Sequence, residues 1–197
     1  MELPAIPTLE GDFVRLEPLS QQHAAELSLA CQDGNLFDLW YTWVPSPETM
    51  AAEINRRLDL YAAGTMIPFA TIDRASGKAI GMTTFMNIRL ANRKVEIGST
   101  WLAQSFQGTA INPEAKLLML GYAFETLGCN AVELRTHEQN LQSRAAIEKL
   151  GAKLDGILRN DMVMANGSIR NTAVYSITND EWPAVRQTLM KRLRDRF

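Results

Sequence analysis

The chain has little of what metal, redox and secreted proteins are built from. Only two cysteines, Cys31 and Cys129, and two histidines, His23 and His137, occur in 197 residues. None sit at metal-ligand spacing, which argues against a zinc site, against any other metal centre and against a disulfide framework. No P-loop lysine followed by Ser or Thr occurs, and no G-x-G-x-x-G, so nucleoside triphosphate and dinucleotide motifs are absent. A net charge of −2 leaves no electrostatic footprint for nucleic acid. Positive charge gathers only in "KRLRDRF", where cations suit a solvated helix C-terminus. No run of about 18 apolar residues is present to cross a bilayer. The opening "MELPAIPTLEGDF" has neither a basic n-region nor an apolar h-region. The expectation is a cytoplasmic protein with neither nucleic acid nor membrane as partner.

What is there is ordinary for a globular chain: 46% hydrophobic and 21% charged residues. The length suits one well-buried domain over residues 1–197. "DFVRLEPLS" starts as a strand, and Ser20 suits the N-cap of a helix over "QQHAAELSLACQ". The aromatic stretch "LFDLWYTWVPSP" is too irregular in period for strand or helix. Pro47 opens a helix that Gly64 closes, with Met50, Ile54, Leu58 and Tyr61 at helical spacing. The period then becomes two: "MIPFATID", "AIGMTTFMNIRL" and "KVEIGSTWL" are predicted strands.

A helix is predicted from Pro113 to about Leu127, a strand at "NAVELRTH", and a short helix from Asn140 that Gly151 ends. "KLDGILRNDMVM" and "SIRNTAVYSI" form a hairpin about Asn166-Gly167, which suits a two-residue type I′ turn. A last helix begins near Asn179. This order predicts an α/β (α+β) three-layer sandwich, a mixed, largely antiparallel sheet flanked by helices.

The segment "QSFQGTAINPEAKLLML" joins a strand to a helix through small residues. The first N–H groups of a helix lack intrahelical acceptors and carry partial positive charge. Such a junction is either an ordinary helix start, with Asn112 as cap and Pro113 at the first position, or an anion cradle. Gly108 would let an anion approach the backbone closely.

"WLAQSFQGTAIN", followed further on by "NLQSRAAIEKLGA", resembles the GNAT superfamily of acyl-CoA-dependent N-acyltransferases. The likeness is nearest to the branch of ribosomal-protein N-terminal acetyltransferases (RimJ/RimL-like). Further markers are "EIG", "LRNDMVMANGSIRNTAVYSI" and the late "EW"; together they span about 11–182. The family's loop pattern is Gln or Arg, two residues, Gly, one residue, then Gly or Ala. Gln107 matches its first position. Ala110, which takes positive φ poorly, replaces the glycine, and Asn112 replaces the last small residue.

The resemblance implies acetyl-CoA as co-substrate, its pyrophosphate held by N–H groups of Gln107, Gly108, Thr109, Ala110, Ile111 and Asn112. It implies a pantetheine arm lying like an extra strand beside Thr100, Trp101 and Leu102, with the Leu102 N–H polarising the thioester carbonyl. Asn140 and Ser143 share one helical face; Asn140 reads as an N-cap, and the resemblance implies that both border the bound CoA. The resemblance places Ser143 beside the CoA sulfur, where it would protonate the departing thiolate. Some relatives use a glutamate base in the penultimate hairpin, but that position falls on Met162. Asp161 is expected on the opposite face; Glu96, shared with many relatives, is the other candidate base, and equally reads as a surface or structural carboxylate.

Trp40, Tyr41 and Trp43 either anchor their segment or wall an acceptor pocket. Arg159 and Arg170 are expected on one solvated sheet face. The leading reading is direct acetyl transfer, without a cysteine nucleophile, to a primary amine on a peptide N-terminus or small molecule. The alternatives are a longer donor such as succinyl-CoA, a non-catalytic acyl-CoA sensor, and a plain scaffold. The chain is expected to act as a monomer or homodimer.

Overall fold

The computed structural model describes residues 6–164 and 166–196. Eight strands form one sheet: β1 (Leu9–Glu10), β2 (Val14–Pro18), β3 (Met66–Asp73), β4 (Ala79–Arg89), β5 (Lys94–Leu102), β6 (Ala131–His137), β7 (Lys153–Val163) and β8 (Ile169–Thr178). Their spatial order is β1-β2-β3-β4-β5-β6-β8-β7. Every neighbouring pair is antiparallel except β5 and β6. This is the mixed, largely antiparallel sheet expected, with the two-residue β1 added at one edge.

Five α-helices cover it: α1 (Ala24–Ala30), α2 (Met50–Ala62), α3 (Ile111–Gly121), α4 (Leu141–Glu148) and α5 (Trp182–Arg196). On one face Leu27 of α1 and Met50 and Ile54 of α2 pack with Ile72, Met82 and Trp101. On the other, Ala115 and Met119 of α3 and Val185 and Leu189 of α5 pack with Phe69, Phe85, Ile97 and Tyr175. A strand covered on both faces reads as a near-continuous apolar run, and all eight residues of β3 are buried.

Local chemistry moves several boundaries. Thr49 donates its N–H to the Ser46 carbonyl, so the Pro47 turn precedes α2, which starts at Met50. Ser20 caps a 3₁₀ turn over Gln21–His23 that leads into α1. α3 ends in a π-helical turn over Tyr122–Thr126, and α5 begins at Trp182, after the Glu181 carboxylate takes the Thr178 N–H.

The β7–β8 hairpin does not have a two-residue turn. Met164 donates to Ser168, and Val163 pairs with Ile169 and Met162 with Arg170, which leaves a three-residue loop. Its first member, Ala165, lies outside the described residues. The Asn166 side chain takes the Ser168 N–H at 3.0 Å, closing an Asx turn in place of the type I′ geometry.

The feature that positions the site is a fork. β5 and β6 pair only between Lys94–Glu96 and Ala131–Glu133. Beyond Glu96 they part, although β5 runs on to Leu102 and β6 to His137. Between Gly98 and Trp101, β5 carries one residue more than its partner stretch of β4, a bulge with Ser99 at φ +45°.

Candidate active site

Past the fork, one edge of β5 faces the opening. Ala103 donates its N–H to the Ile80 carbonyl at 2.9 Å on the β4 side. Ladder groups alternate along a strand, so the Leu102 N–H and carbonyl point the other way, to the opening. The Leu102 carbonyl accepts the Gln107 side-chain amide at 3.0 Å. Next to it Trp101 is buried, and its indole Nε1–H has no acceptor among the described residues. Leaving such a donor unmet costs about 1–3 kcal/mol, which favours a ligand atom or water there.

The loop that follows differs from the expected helix start. α3 begins at Ile111, so Asn112 lies inside its first turn and does not cap, and Pro113 is the third helical residue. Proline is tolerated there because that N–H would have no intrahelical acceptor. Thr109 takes the capping role: its Oγ1 donates to the Phe106 carbonyl at 2.7 Å and accepts the Ile111 N–H at 3.3 Å. Ala110 sits at φ −65° and ψ −21°, so alanine in place of glycine brings no strain. Gly108 carries the positive φ, +77°, and among the described residues no heavy atom beyond its chain neighbours lies within 4 Å of where its Cβ would stand.

The N–H of Gln107 is taken by the Gln104 carbonyl. Those of Gly108, Thr109, Ala110 and Asn112 meet no acceptor among the described residues. The loop therefore offers open space, unpaired donors and a helix start, which suit an anion such as a pyrophosphate. Ala110 and Ile111 bury their side chains in the core and can contribute only main chain.

α4 starts on the far side of the opening. Asn140 caps it, its side chain accepting the Ser143 N–H at 3.0 Å. Gln142 reaches Gln107 at 3.5 Å, so the two helix starts meet side by side. The half-buried Ser143 hydroxyl has no partner among the described residues and is free to bond a ligand.

Glu96 stands at the fork itself. It is buried, accepts the Asn87 amide at 2.7 Å and lies 3.4 Å from Arg135. Burial raises its pKa; Asn87 and Arg135 hold back part of that rise. Arg170, opposite Met162, is half-buried rather than on a solvated face, and the carboxylates of Asp161 and Glu96 offset the lowering of its pKa by burial. β7 carries extra residues between Leu158 and Met162, with Asn160 at φ +52°. That irregularity breaks strand alternation and brings Asp161 within electrostatic reach of Arg135 and Arg170, on the Glu96 side. Arg159 is exposed, as expected.

The aromatic segment is split. Trp40 lies edge-on to Tyr41 at 5.6 Å and to His137 at 5.3 Å, which brings it to the end of β6. His137 is buried and its Nδ1 accepts the Gln139 N–H, which places a ring proton on Nε2; burial and the nearby Arg170 lower its pKa. Trp43 turns instead to α2, beneath the Arg56 guanidinium at 5.6 Å.

Two buried basic side chains, Arg57 and Lys116, escaped the sequence reading. Arg57 is fully buried, bonded to Glu53 at 2.7 Å and to the Ser99 carbonyl. Lys116 is buried on α3 with Nζ 3.0 Å from Thr100 Oγ1 and 3.4 Å from Thr83 Oγ1. Burial lowers its pKa to about 7. The available signal was a lone lysine inside the apolar run "EAKLLML", which helical spacing alone assigns to no face. Among the described residues no group of three or more His, Cys, Asp or Glu could hold a metal ion, and no helix is long and apolar enough to cross a membrane.

Residues 14–153 match the family described as an acetyltransferase (GNAT) domain. The chain is 30% identical over 177 residues to "Putative ribosomal N-acetyltransferase YdaF" of Bacillus subtilis, 85% of this chain and 90% of that protein. The crystal structure of a GCN5-related N-acetyltransferase from Brucella melitensis is 35% identical and covers 96% of this chain and 86% of its own, at a TM-score of 0.84. RimJ of Mycobacterium smegmatis, solved in complex with CoA-disulfide, has a TM-score of 0.81 over 97% of each chain; at 22% identity that likeness is one of fold.

Proposed function

The chain belongs to the GNAT acetyltransferase family, and on that premise we propose that it moves an acetyl group from acetyl-CoA directly to a primary amine, on a peptide N-terminus or a small molecule. The observation that carries the reading is the fork: β5 leaves β6 after Glu96, and the unpaired N–H groups of Gly108, Thr109, Ala110 and Asn112 lie at one end of the opening. Acetyl-CoA is the co-substrate of this family. In this chain the N–H groups of that loop bind its pyrophosphate, and the free edge of β5 at Trp101 and Leu102 receives its pantetheine arm.

The Leu102 N–H donates to the thioester carbonyl oxygen as the amine attacks; removing one such donor elsewhere has slowed catalysis by about 10²–10³-fold. The new C–N bond forms as the C–S bond breaks, and Ser143 passes its hydroxyl proton to the leaving thiolate and takes one back from solvent. Glu96 takes the proton that the amine sheds, and its raised pKa brings it nearer to neutral pH, where a base works best. Trp40 and Tyr41 border the acceptor at the end of β6. A peptide N-terminus is favoured by the name of the Bacillus relative, a ribosomal N-acetyltransferase.

The test is calorimetric titration of CoA and acetyl-CoA into the protein and into Gly108→Val, followed by turnover with a panel of amines and N-terminal peptides. Micromolar binding that the valine abolishes, with turnover on a member of the panel, is expected. No binding of either ligand to the unaltered protein would overturn the reading.

A further inference from the structure

We propose that Lys116, behind β5, holds the Thr100 hydroxyl as a hydrogen-bond donor to a carbonyl oxygen of the acyl-CoA arm, and so is a positioning residue for acyl transfer. The inference rests on the acyltransferase reading above. Lys116 sits on α3 among Ala115, Met119 and other core residues, with no carboxylate bonded to its Nζ among the described residues. A buried amine without a counter-charge destabilises a fold, and an unbranched apolar side chain of similar length would pack there at no such cost. Stability therefore does not explain the residue.

The donor count gives the amine its use. The amine carries three N–H donors when charged and two when neutral, enough in either form to give one to each threonine oxygen. The two hydroxyls lie 2.7 Å apart, a contact that takes one of their protons, and with only the weak Met119 sulfur at 3.5 Å as its other acceptor the buried Thr83 gives its proton to Thr100. Thr83 is buried, whereas Thr100 is exposed. Thr100 also lies on the part of β5 that has left β6. With Lys116 and Thr83 filling both acceptor sites of the Thr100 oxygen, its proton is directed away from the pair. Among the described residues its remaining acceptor is the Gly98 carbonyl at 3.3 Å, a long contact. The open side of β5 is thus left with a fixed hydroxyl donor, and the matching ligand chemistry is a carbonyl oxygen. The acyl-CoA arm offers two kinds, the thioester carbonyl and the pantetheine amide carbonyls.

The experiment titrates acetyl-CoA and CoA into the full chain and into Lys116→Met, Thr100→Val, Thr100→Ser and the Lys116→Met/Thr100→Val pair. Lys116→Met and Thr100→Val are each expected to weaken acetyl-CoA binding about tenfold. The pair should be no worse than either alone, and Thr100→Ser should stay within twofold of the unaltered protein. Lys116→Met should also raise the thermal midpoint, which separates a loss of binding from a loss of fold. Loss confined to acetyl-CoA assigns the thioester carbonyl; equal loss for CoA assigns a pantetheine amide. Acetyl-CoA binding within twofold in either single variant, or additive losses in the pair, would overturn the proposal. Failure of the unaltered protein to bind either ligand would instead sink the acyltransferase reading.

Discussion

Both terminal nitrogens of Arg57 donate to the Ser99 carbonyl, each at 3.3 Å. This contact ties α2 to the bulge of β5, where Ser99 holds φ +45°, in the stretch that leads to Leu102. Arg57→Met would leave the Ser99 carbonyl without its donors and Glu53 with Arg56 alone. Breaking a buried pair costs about 3–5 kcal/mol, and the surviving Arg56 contact puts the expected loss near the lower end. Urea unfolding measures it. Turnover should fall more than acetyl-CoA affinity, because the bulge aims main-chain donors; unchanged turnover would mean that β4 alone holds the bulge.

Asn140→Ala removes the cap of α4 and should lower stability by about 1 kcal/mol. Ser143→Ala keeps the cap, since Asn140 bonds the main chain of residue 143. It should lower kcat by about 10²-fold while acetyl-CoA affinity stays within twofold. A Ser143→Ala enzyme at full rate would take the hydroxyl out of the chemistry.

Lys116 links stability to pH. Its pKa is near 7 in the folded protein and near 10.5 when unfolded. Between these values the unfolded chain binds the extra proton, so folded-state stability rises with pH and is lost as pH falls through about 7. Lys116→Met lacks this dependence. Its stability advantage over the unaltered protein should therefore shrink, by up to about 3 kcal/mol between pH 7 and 9.5. Parallel denaturant curves at the two pH values test this; a constant difference would mean that the amine is not desolvated.

Trp40 meets His137 edge-on at 5.3 Å. Trp40→Ala should raise KM for the amine about tenfold and leave acetyl-CoA affinity unchanged. Equal losses for both substrates would place the indole on the donor side instead.

Cys31 belongs to the core beneath α1 and α2, and Cys129 to the core of the opposite face. Burial raises both thiol pKa values, which keeps them protonated and poorly nucleophilic. The Cys31→Ala/Cys129→Ala protein should turn over at close to the full rate. A folded double variant without activity would point to a covalent acyl-enzyme.

Local chemistry made much of this legible in the chain itself. Period-two runs marked β2 to β8, helical spacing marked Met50 and Ile54 of α2, and Asn140 announced itself as a cap because a cap needs only its own next three residues. The glycine of the loop was equally plain, since Gly108 alone there takes a positive φ. The start of α3 was misplaced by two residues because Thr109, bonding back to Phe106, caps as well as Asn112 would have. The hairpin register slipped for a similar reason: the Asn166 side chain bonds Ser168 and closes a longer loop than Asn-Gly predicts.

Residue order determined the strands, the helices, the capping signals and the family pattern, because these follow from near neighbours along the chain. Only the tertiary structure decided that β5 and β6 part after Glu96, that Arg57 reaches Ser99, and that Lys116 lies under Thr100. Those relations join residues that lie far apart in sequence, and packing of whole elements against one sheet sets them, which no local periodicity encodes.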